Sequence, residues 1–221
     1  MKTLSKEEQA AITPAMAIEL LKEGNKRFVS NLKLNRNLLQ QANETSDGQH
    51  PFAVILSCID SRTSAELIFD QGLGDIFSIR IAGNILNEDI LGSMEFACRV
   101  AGSKMIVVLG HSRCGAVKGA CDHVKMGNLT ALLDKISQAV DDENSVTENR
   151  NSGNSEFVEK VAAINVKKTA QAIMERSPVL KEMLENGEIG IVGGMHDITT
   201  GLVSFYEDTI YLGTSVNSAM E

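Results

Sequence analysis

The chain has 221 residues, 43% of them apolar, which is enough for the core of one domain. Its 29 acidic and 21 basic residues give a net charge of −8 without a basic stripe, which argues against a nucleic acid or an anionic membrane as partner. The first ten residues lack the apolar stretch of a secretion signal, and the chain has no apolar span of about 18 residues, so we expect a cytoplasmic protein. Four cysteines in such a compartment indicate metal binding or catalysis rather than a disulfide framework.

The chain begins with a predicted amphipathic helix over residues 15–39. Thr13 and Pro14 form a typical helix start. The apolar stripe of this helix consists of Ile18, Leu21, Phe28 and Leu32. A polar stretch, 41–49, then breaks the pattern. We therefore expect one domain over 1–221, in which 1–48 form an N-terminal helical arm and 49–221 form the core.

Strands and helices then alternate along the core. The predicted strands are 52–57, 76–81, 104–109, 188–195 and 202–206. The predicted helices are 64–70, 88–101, 114–121, 129–140 and 156–176, and the polar segment 141–155 reads as a mobile loop. This order predicts an α/β fold with a mainly parallel sheet of four strands, flanked by helices. The Thr199-Thr200-Gly201 turn predicts a hairpin into a fifth strand at the C-terminal edge.

Two clusters of metal-binding residue types follow two of these strands. Cys58 comes directly after the first strand, and His111 and Cys114 come after the third. Because the carboxyl ends of parallel strands meet at one edge of the sheet, we expect the three side chains to lie together. Two thiolates and one imidazole make a three-ligand zinc site, and zinc sites of this kind keep a fourth position for water and are catalytic. The alternative is that Cys58 and Cys114 are ordinary buried thiols.

Asp60 and Arg62 alternate with Cys58 along the first of these loops. Asp60 either closes the zinc site as a fourth ligand or is bound bidentately by Arg62, which leaves water on the metal. A surface ion pair of little energetic weight is the third interpretation. His196 follows the fourth strand. Two interpretations are open: a role in proton transfer, and a histidine whose hydrogen bonds are satisfied within the hairpin.

Four motifs in this order resemble the β-class carbonic anhydrases. They are Gln49-His-Pro-Phe, Cys58-Ile-Asp-Ser-Arg62, Arg80-Ile-Ala-Gly-Asn84 and Gly110-His-Ser-Arg-Cys-Gly115. The resemblance implies one Zn²⁺ per chain on Cys58, His111 and Cys114, with Asp60 and Arg62 as the catalytic pair. The implied reaction is the reversible hydration of CO2 to bicarbonate and a proton by zinc-bound hydroxide.

The same resemblance implies a set of substrate-binding residues and an assembly. The substrate-binding residues are Gln49, Phe77, Ala82, Phe96 and the backbone N–H of Gly115. Phe96 stands where several relatives have tyrosine, which removes a hydroxyl near the site. Family members are obligate dimers or larger, so we expect a homodimer or homotetramer in which the arm lies across a partner, with Gln49 and Phe96 near the interface.

The tryptophan content bears on the subtype. Some members close their site with the aspartate and carry a regulatory bicarbonate pocket that contains tryptophan. This chain has no tryptophan, and Ile55 stands at the corresponding position, so we predict the open-site subtype. Two alternatives stay open at this point: a hydrolase of carbonyl sulfide or carbon disulfide on the same scaffold, and a noncatalytic zinc site closed by Asp60.

Overall fold

A five-stranded sheet forms the centre of the fold in the computed structural model, which describes residues 3–213. Its strands are β1 (Ala53–Ser57), β2 (Ile76–Arg80), β3 (Met105–His111), β4 (Gly190–His196) and β5 (Val203–Phe205). Their order is β2-β1-β3-β4-β5, with β1 to β4 parallel and β5 antiparallel to β4. The predicted fold class and the C-terminal hairpin are confirmed, and every strand lies within two residues of its predicted bounds.

Nine α-helices surround the sheet in the described part of the chain. They are α1 (Lys6–Ala11), α2 (Pro14–Val29), α3 (Leu38–Glu44), α4 (Ala65–Ile68), α5 (Glu88–Glu95), α6 (Gly115–Cys121), α7 (Gly127–Asp142), α8 (Ser155–Arg176) and α9 (Pro178–Glu185). Helices α1 and α9 were not predicted from the hydrophobic pattern. Each nevertheless has a capping signal: Ser5 and Glu8 cap α1 reciprocally, and Ser177 caps α9. None of the helices within 3–213 is long and apolar enough to cross a bilayer.

The predicted continuous helix 15–39 is wrong. As predicted, it starts at Thr13 and Pro14, but α2 ends at Val29 and Asn31 adopts a left-handed conformation with φ 54°. This is a common way to end a helix, because asparagine tolerates that conformation. The chain runs on without helix until Asn37 caps α3, which takes up part of the polar stretch 41–49. Leu32 therefore leaves the predicted apolar stripe and is 67% exposed.

The two faces of the sheet carry separate apolar layers. Val54, Leu56, Ile106, Val108 and Ile191 pack toward α5, α8 and α9. Ile55, Met105, Val107 and Val192 pack on the other side toward α2 and α4. Helix α8 lies especially close to the carboxyl end of β3, since a Cβ on Gly110 would lie 2.6 Å from Cγ2 of Val166. This close approach brings α8 beside the loops that follow the strands.

The segment 141–155, predicted as a mobile loop, is helical at its two ends, and the remaining residues 143–154 are anchored by one arginine. The guanidinium of Arg150 donates hydrogen bonds to the carbonyl oxygens of Val140, Glu143 and Val146. It also lies 4.6 Å from the ring centroid of Phe157. Polar sequences without apolar anchors indicate mobility, but here hydrogen bonds to the backbone take the place of apolar packing.

Candidate active site

Cys58, His111 and Cys114 meet at the carboxyl edge of the sheet. Cys58 follows β1, His111 ends β3, and Cys114 directly precedes α6. The parallel register pairs Ser57 with Leu109, so the two loops leave the sheet side by side. One ligand atom from each residue lies within 4.8 Å of the others, and none of the three residues is more than 4% exposed. The structure brings the predicted ligand set together.

The imidazole of His111 has one free nitrogen. Its Nδ1 lies 3.0 Å from the carbonyl oxygen of Ser112, a geometry that favours a proton on Nδ1. Its Nε2 is buried and has no hydrogen-bond partner among the described residues. A buried lone pair without a partner is costly unless something else binds it. The donor set, two thiols and one available imidazole nitrogen, fits a zinc ion.

The two thiols are strongly coupled to each other. A hydrogen bond from Cys114 lowers the pKa of Cys58 against the opposing effect of burial, and the bond from the Gly83 N–H lowers it further. The same bond, together with burial, raises the pKa of Cys114. The two shifts are opposed, so Cys58 is the sulfur that ionises first and Cys114 the one that keeps its proton. A divalent cation there would replace the proton and keep both sulfurs as thiolates.

Asp60 and Arg62 form a bidentate ion pair beside this cluster. The guanidinium donates from Nε to Oδ1 at 2.9 Å and from Nη2 to Oδ2 at 2.7 Å. The backbone N–H of Arg62 also donates to Oδ1, at 3.0 Å. The bonds from the Arg62 side chain, helped by this backbone bond, hold the pKa of Asp60 well below its usual range. Of the three interpretations from sequence, the structure displays the bidentate pair.

The loop that carries Cys58 and Asp60 is held in place by two neighbouring side chains. Arg80, at the end of β2, donates from Nε to the carbonyl oxygen of Cys58 at 3.2 Å and from Nη2 to that of Asp60 at 2.6 Å. The hydroxyl of Thr63 donates to the Asp60 carbonyl at 3.0 Å. Arg80 belongs to one of the motifs quoted above, but its contact with the loop became visible only in the fold.

The predicted substrate-binding residues fall into two groups. Ala82 precedes Gly83, whose N–H bonds Cys58, and Gly115 directly follows Cys114, so both are next to the ligand cluster. Phe77 and Phe96 contact each other, with ring centroids 6.3 Å apart, and line a groove of about 650 Å³ beside edge strand β2.

Phe77 and Gln49 lie far from the Cys58 of the same chain. Phe77 pairs in register with Val54, four residues before Cys58, which corresponds to roughly 13 Å along the strand. Gln49 is exposed and precedes β1, so the whole strand separates it from Cys58. The structure therefore does not bring these two residues to the ligand cluster within one chain.

His196 is buried beside the cluster and makes no side-chain hydrogen bond. It pairs in register with His111, and neither of its ring nitrogens has a partner within the described range. Burial, and secondarily the charge of His111, lowers the pKa of His196 to about 4. The satisfied hairpin histidine considered from the sequence is therefore not what the structure contains.

Comparisons with known proteins agree with this geometry. A family model described as carbonic anhydrase matches residues 53–203. The β-carbonic anhydrase CafA of Aspergillus fumigatus has a similar structure, with a TM-score of 0.67, 26% identity, and coverage of 87% of this chain and 90% of that one. The chain belongs to the β-carbonic anhydrase family. As a carbonic anhydrase, it is an enzyme of carbon dioxide hydration.

Two bacterial carbonic anhydrases are also similar over most of their length. Carbonic anhydrase 2 of Mycobacterium tuberculosis is 37% identical over 191 residues, which is 85% of this chain and 90% of the relative. A carbonic anhydrase of Mycolicibacterium smegmatis is 35% identical over 192 residues, or 86% of this chain and 92% of the relative. Each of these matches covers more of the chain than the family model, which spans residues 53–203.

Proposed function

We propose that Cys58, His111 and Cys114 bind one Zn²⁺ per chain, at which CO2 is reversibly hydrated to bicarbonate and a proton. The observation that carries this proposal is the buried Nε2 of His111, which lacks a partner and lies with two cysteine sulfurs in one cluster. When bound, zinc supplies the Lewis acidity that makes water a nucleophile near neutral pH. All four cysteines are free thiols, which supports a location in the reducing cytoplasm.

We propose that Asp60 accepts a hydrogen bond from the attacking water and thereby orients it. The ion pair with Arg62 keeps the carboxylate ionised and fixes its plane, while Oδ2, which accepts one hydrogen bond against two at Oδ1, retains a lone pair for a further one. An aspartate held in this way by an arginine is engaged away from the ligand cluster. This arrangement supports the open-site subtype over a site closed by Asp60.

The distant substrate residues support a dimer in which each site is completed by a second copy. Gln49 and Phe77 cannot reach the cluster of their own chain, for the reasons given above. Phe96 is 55% exposed and the nearby Val100 is 71% exposed, next to the unpaired edge of β2. An exposed apolar surface at a sheet edge is typical of an interface between subunits. We propose that Gln49 and Phe96 of one copy lie near the site of the other.

Stopped-flow CO2 hydration on the purified protein, with zinc measured on the same sample, tests the chemistry. Run from about pH 6.5 to 9, it should show fast hydration with one zinc per chain. Cys114→Ser should lose the metal and the activity. Cys98→Ser makes the same change at a buried thiol outside the cluster and should keep both. A full zinc complement in Cys114→Ser would refute the ligand assignment, and zinc without hydration would refute the reaction.

A complementation experiment tests the dimeric site. Gln49→Ala and Cys58→Ser should each be nearly inactive as homodimers. Mixed dimers would contain one site in which the intact Cys58 of one chain meets the intact Gln49 of the other, so refolding the two variants together should restore activity. If each chain completes its own site, the mixture should stay as inactive as its components.

A further inference from the structure

Helix α8 reaches the metal-ligand loop through one buried side chain. The side-chain amide of Asn165, which is 4% exposed, donates from Nδ2 to the carbonyl oxygen of Gly83 at 2.9 Å. The N–H of Gly83 in turn donates to Sγ of Cys58 at 3.4 Å. Building on the zinc site proposed above, we propose that Asn165 is a positioning residue, which aims the Gly83 N–H at the Cys58 sulfur.

The conformation of Gly83 explains why this residue needs such an anchor. Gly83 lies in the left-handed region with φ 68° and ψ 18°, in a single turn formed by Ala82–Asn84. Glycine has the widest conformational freedom of any residue, so its N–H direction depends on what holds the residues around it. Its N–H and its carbonyl lie on the two sides of one Cα. A bond from Asn165 to the carbonyl therefore fixes the side opposite to the one that bonds the sulfur.

Packing around Gly83 restricts its position but leaves its orientation to the hydrogen bond. A Cβ on this residue would lie 2.6 Å from Cδ1 of Ile136 and 3.2 Å from Cβ of Ala116. These are apolar contacts, which confine the chain without specifying where the two peptide groups point. Among the described residues, the side chain that donates a hydrogen bond to the Gly83 carbonyl is the amide of Asn165.

The physical consequence concerns how well the cluster holds a metal ion. An N–H bonded to a ligand sulfur withdraws charge from it and fixes its direction, and loss of such outer contacts typically weakens metal binding about 10- to 100-fold. A hydrogen bond that served only to tie α8 to the loop would change the stability of the fold and leave the metal affinity unchanged. A positioning role therefore predicts a change in metal affinity, whereas a purely structural role predicts a change in fold stability alone.

The test compares Asn165→Leu with Thr169→Val. Leucine has a shape similar to asparagine without the donor. Thr169 lies one turn further along α8, is also buried at 6% exposure, and lines the same cleft as Asn165, so its isosteric change to valine controls for packing. Zinc affinity is measured by competition with a chelator. The thiolate-to-cobalt charge-transfer band of the Co²⁺-substituted protein reports on the sulfur.

We expect Asn165→Leu to weaken zinc binding by about 10-fold or more and to shift the cobalt band. Thr169→Val should change neither quantity, and Asn165→Gln, which keeps the donor, should recover part of both. Unchanged affinity and an unchanged band in Asn165→Leu would overturn the positioning role, whatever its unfolding free energy. If the leucine variant does not fold, Asn165→Ser decides by the same two readouts. Failure of the proposed zinc site would be seen separately, as a wild-type protein that binds no zinc.

Discussion

Asp70 is the centre of a buried charge cluster that holds the arm on the core. Its carboxylate is bound by Nε of Arg27 at 2.5 Å, by Nη1 of Arg36 at 2.6 Å and by the backbone N–H of Leu34 at 3.3 Å. The side chains of Asp70 and Arg36 are only 4% and 7% exposed. Asp70→Asn removes the negative charge with little change of shape. Asparagine also tolerates the left-handed conformation of this position, φ 44°.

The expected loss of stability follows from the arginine charge that the substitution leaves without a partner. Removing one partner of a buried ion pair leaves the other charge without compensation, which costs about 3–5 kcal/mol of stability. Asparagine retains one hydrogen-bond acceptor. We therefore expect the free energy of unfolding to fall by about 3 kcal/mol, the lower end of that range. Burial opposes ionisation of Asp70, but the bonds from Arg27 and Arg36 outweigh it and lower its pKa. A lowered carboxyl pKa stabilises the fold above the unfolded value of about 3.9, and this contribution is lost as the pH falls through the folded value.

Urea unfolding at equal protein concentration, at pH 7 and at several values below 5, measures the difference between wild type and variant. The difference should be large at pH 7 and should shrink as the pH falls below about 4. Asp208→Asn is the matched control, because its pair with Lys167 is exposed, and it should cost less than about 1 kcal/mol at any pH. Equal effects of the two substitutions, or a difference independent of pH, would refute the assignment of stability to the Asp70 cluster.

Three further predictions concern the site. Asp60→Asn should keep its zinc and lose activity about 10- to 100-fold in stopped-flow assays, and unchanged turnover would remove Asp60 from the mechanism. Gly83→Ala should destabilise by about 2–5 kcal/mol in urea, from left-handed strain of about 1–2 kcal/mol and overpacking of about 1–3 kcal/mol. Gly127→Ala isolates the strain, since Gly127 also has positive φ but open space around it, and an equal loss there would exclude the packing contribution. The hydration rate should rise with pH without a cooperative loss near about pH 8, the behaviour of an open site, and a steep loss would indicate closure by Asp60.

Much of the sheet and the ligand cluster could be predicted from the sequence, because both depend on local patterns. Runs of strand length that are rich in apolar residues mark β1 to β4. Parallel strands end at a common edge, so placing Cys58 and His111 after two of them already implied that they meet. The Asp60–Arg62 pair is equally local, since two residues separated by one position can bond without help from the rest of the fold.

The sequence by itself thus determined the strand order along the chain, the three-residue cluster and the family, because these rest on periodicity and on short motifs. Only the tertiary structure decided where α2 ends, since the segment after Asn31 is held by Asp70, some forty residues further on. It also decided that Phe77 pairs with Val54, which places it far from Cys58 of the same chain. The link from Asn165 to Gly83 spans 82 positions, and no local pattern marks it. Contacts between distant segments depend on how the elements pack, and that information is distributed over the whole core.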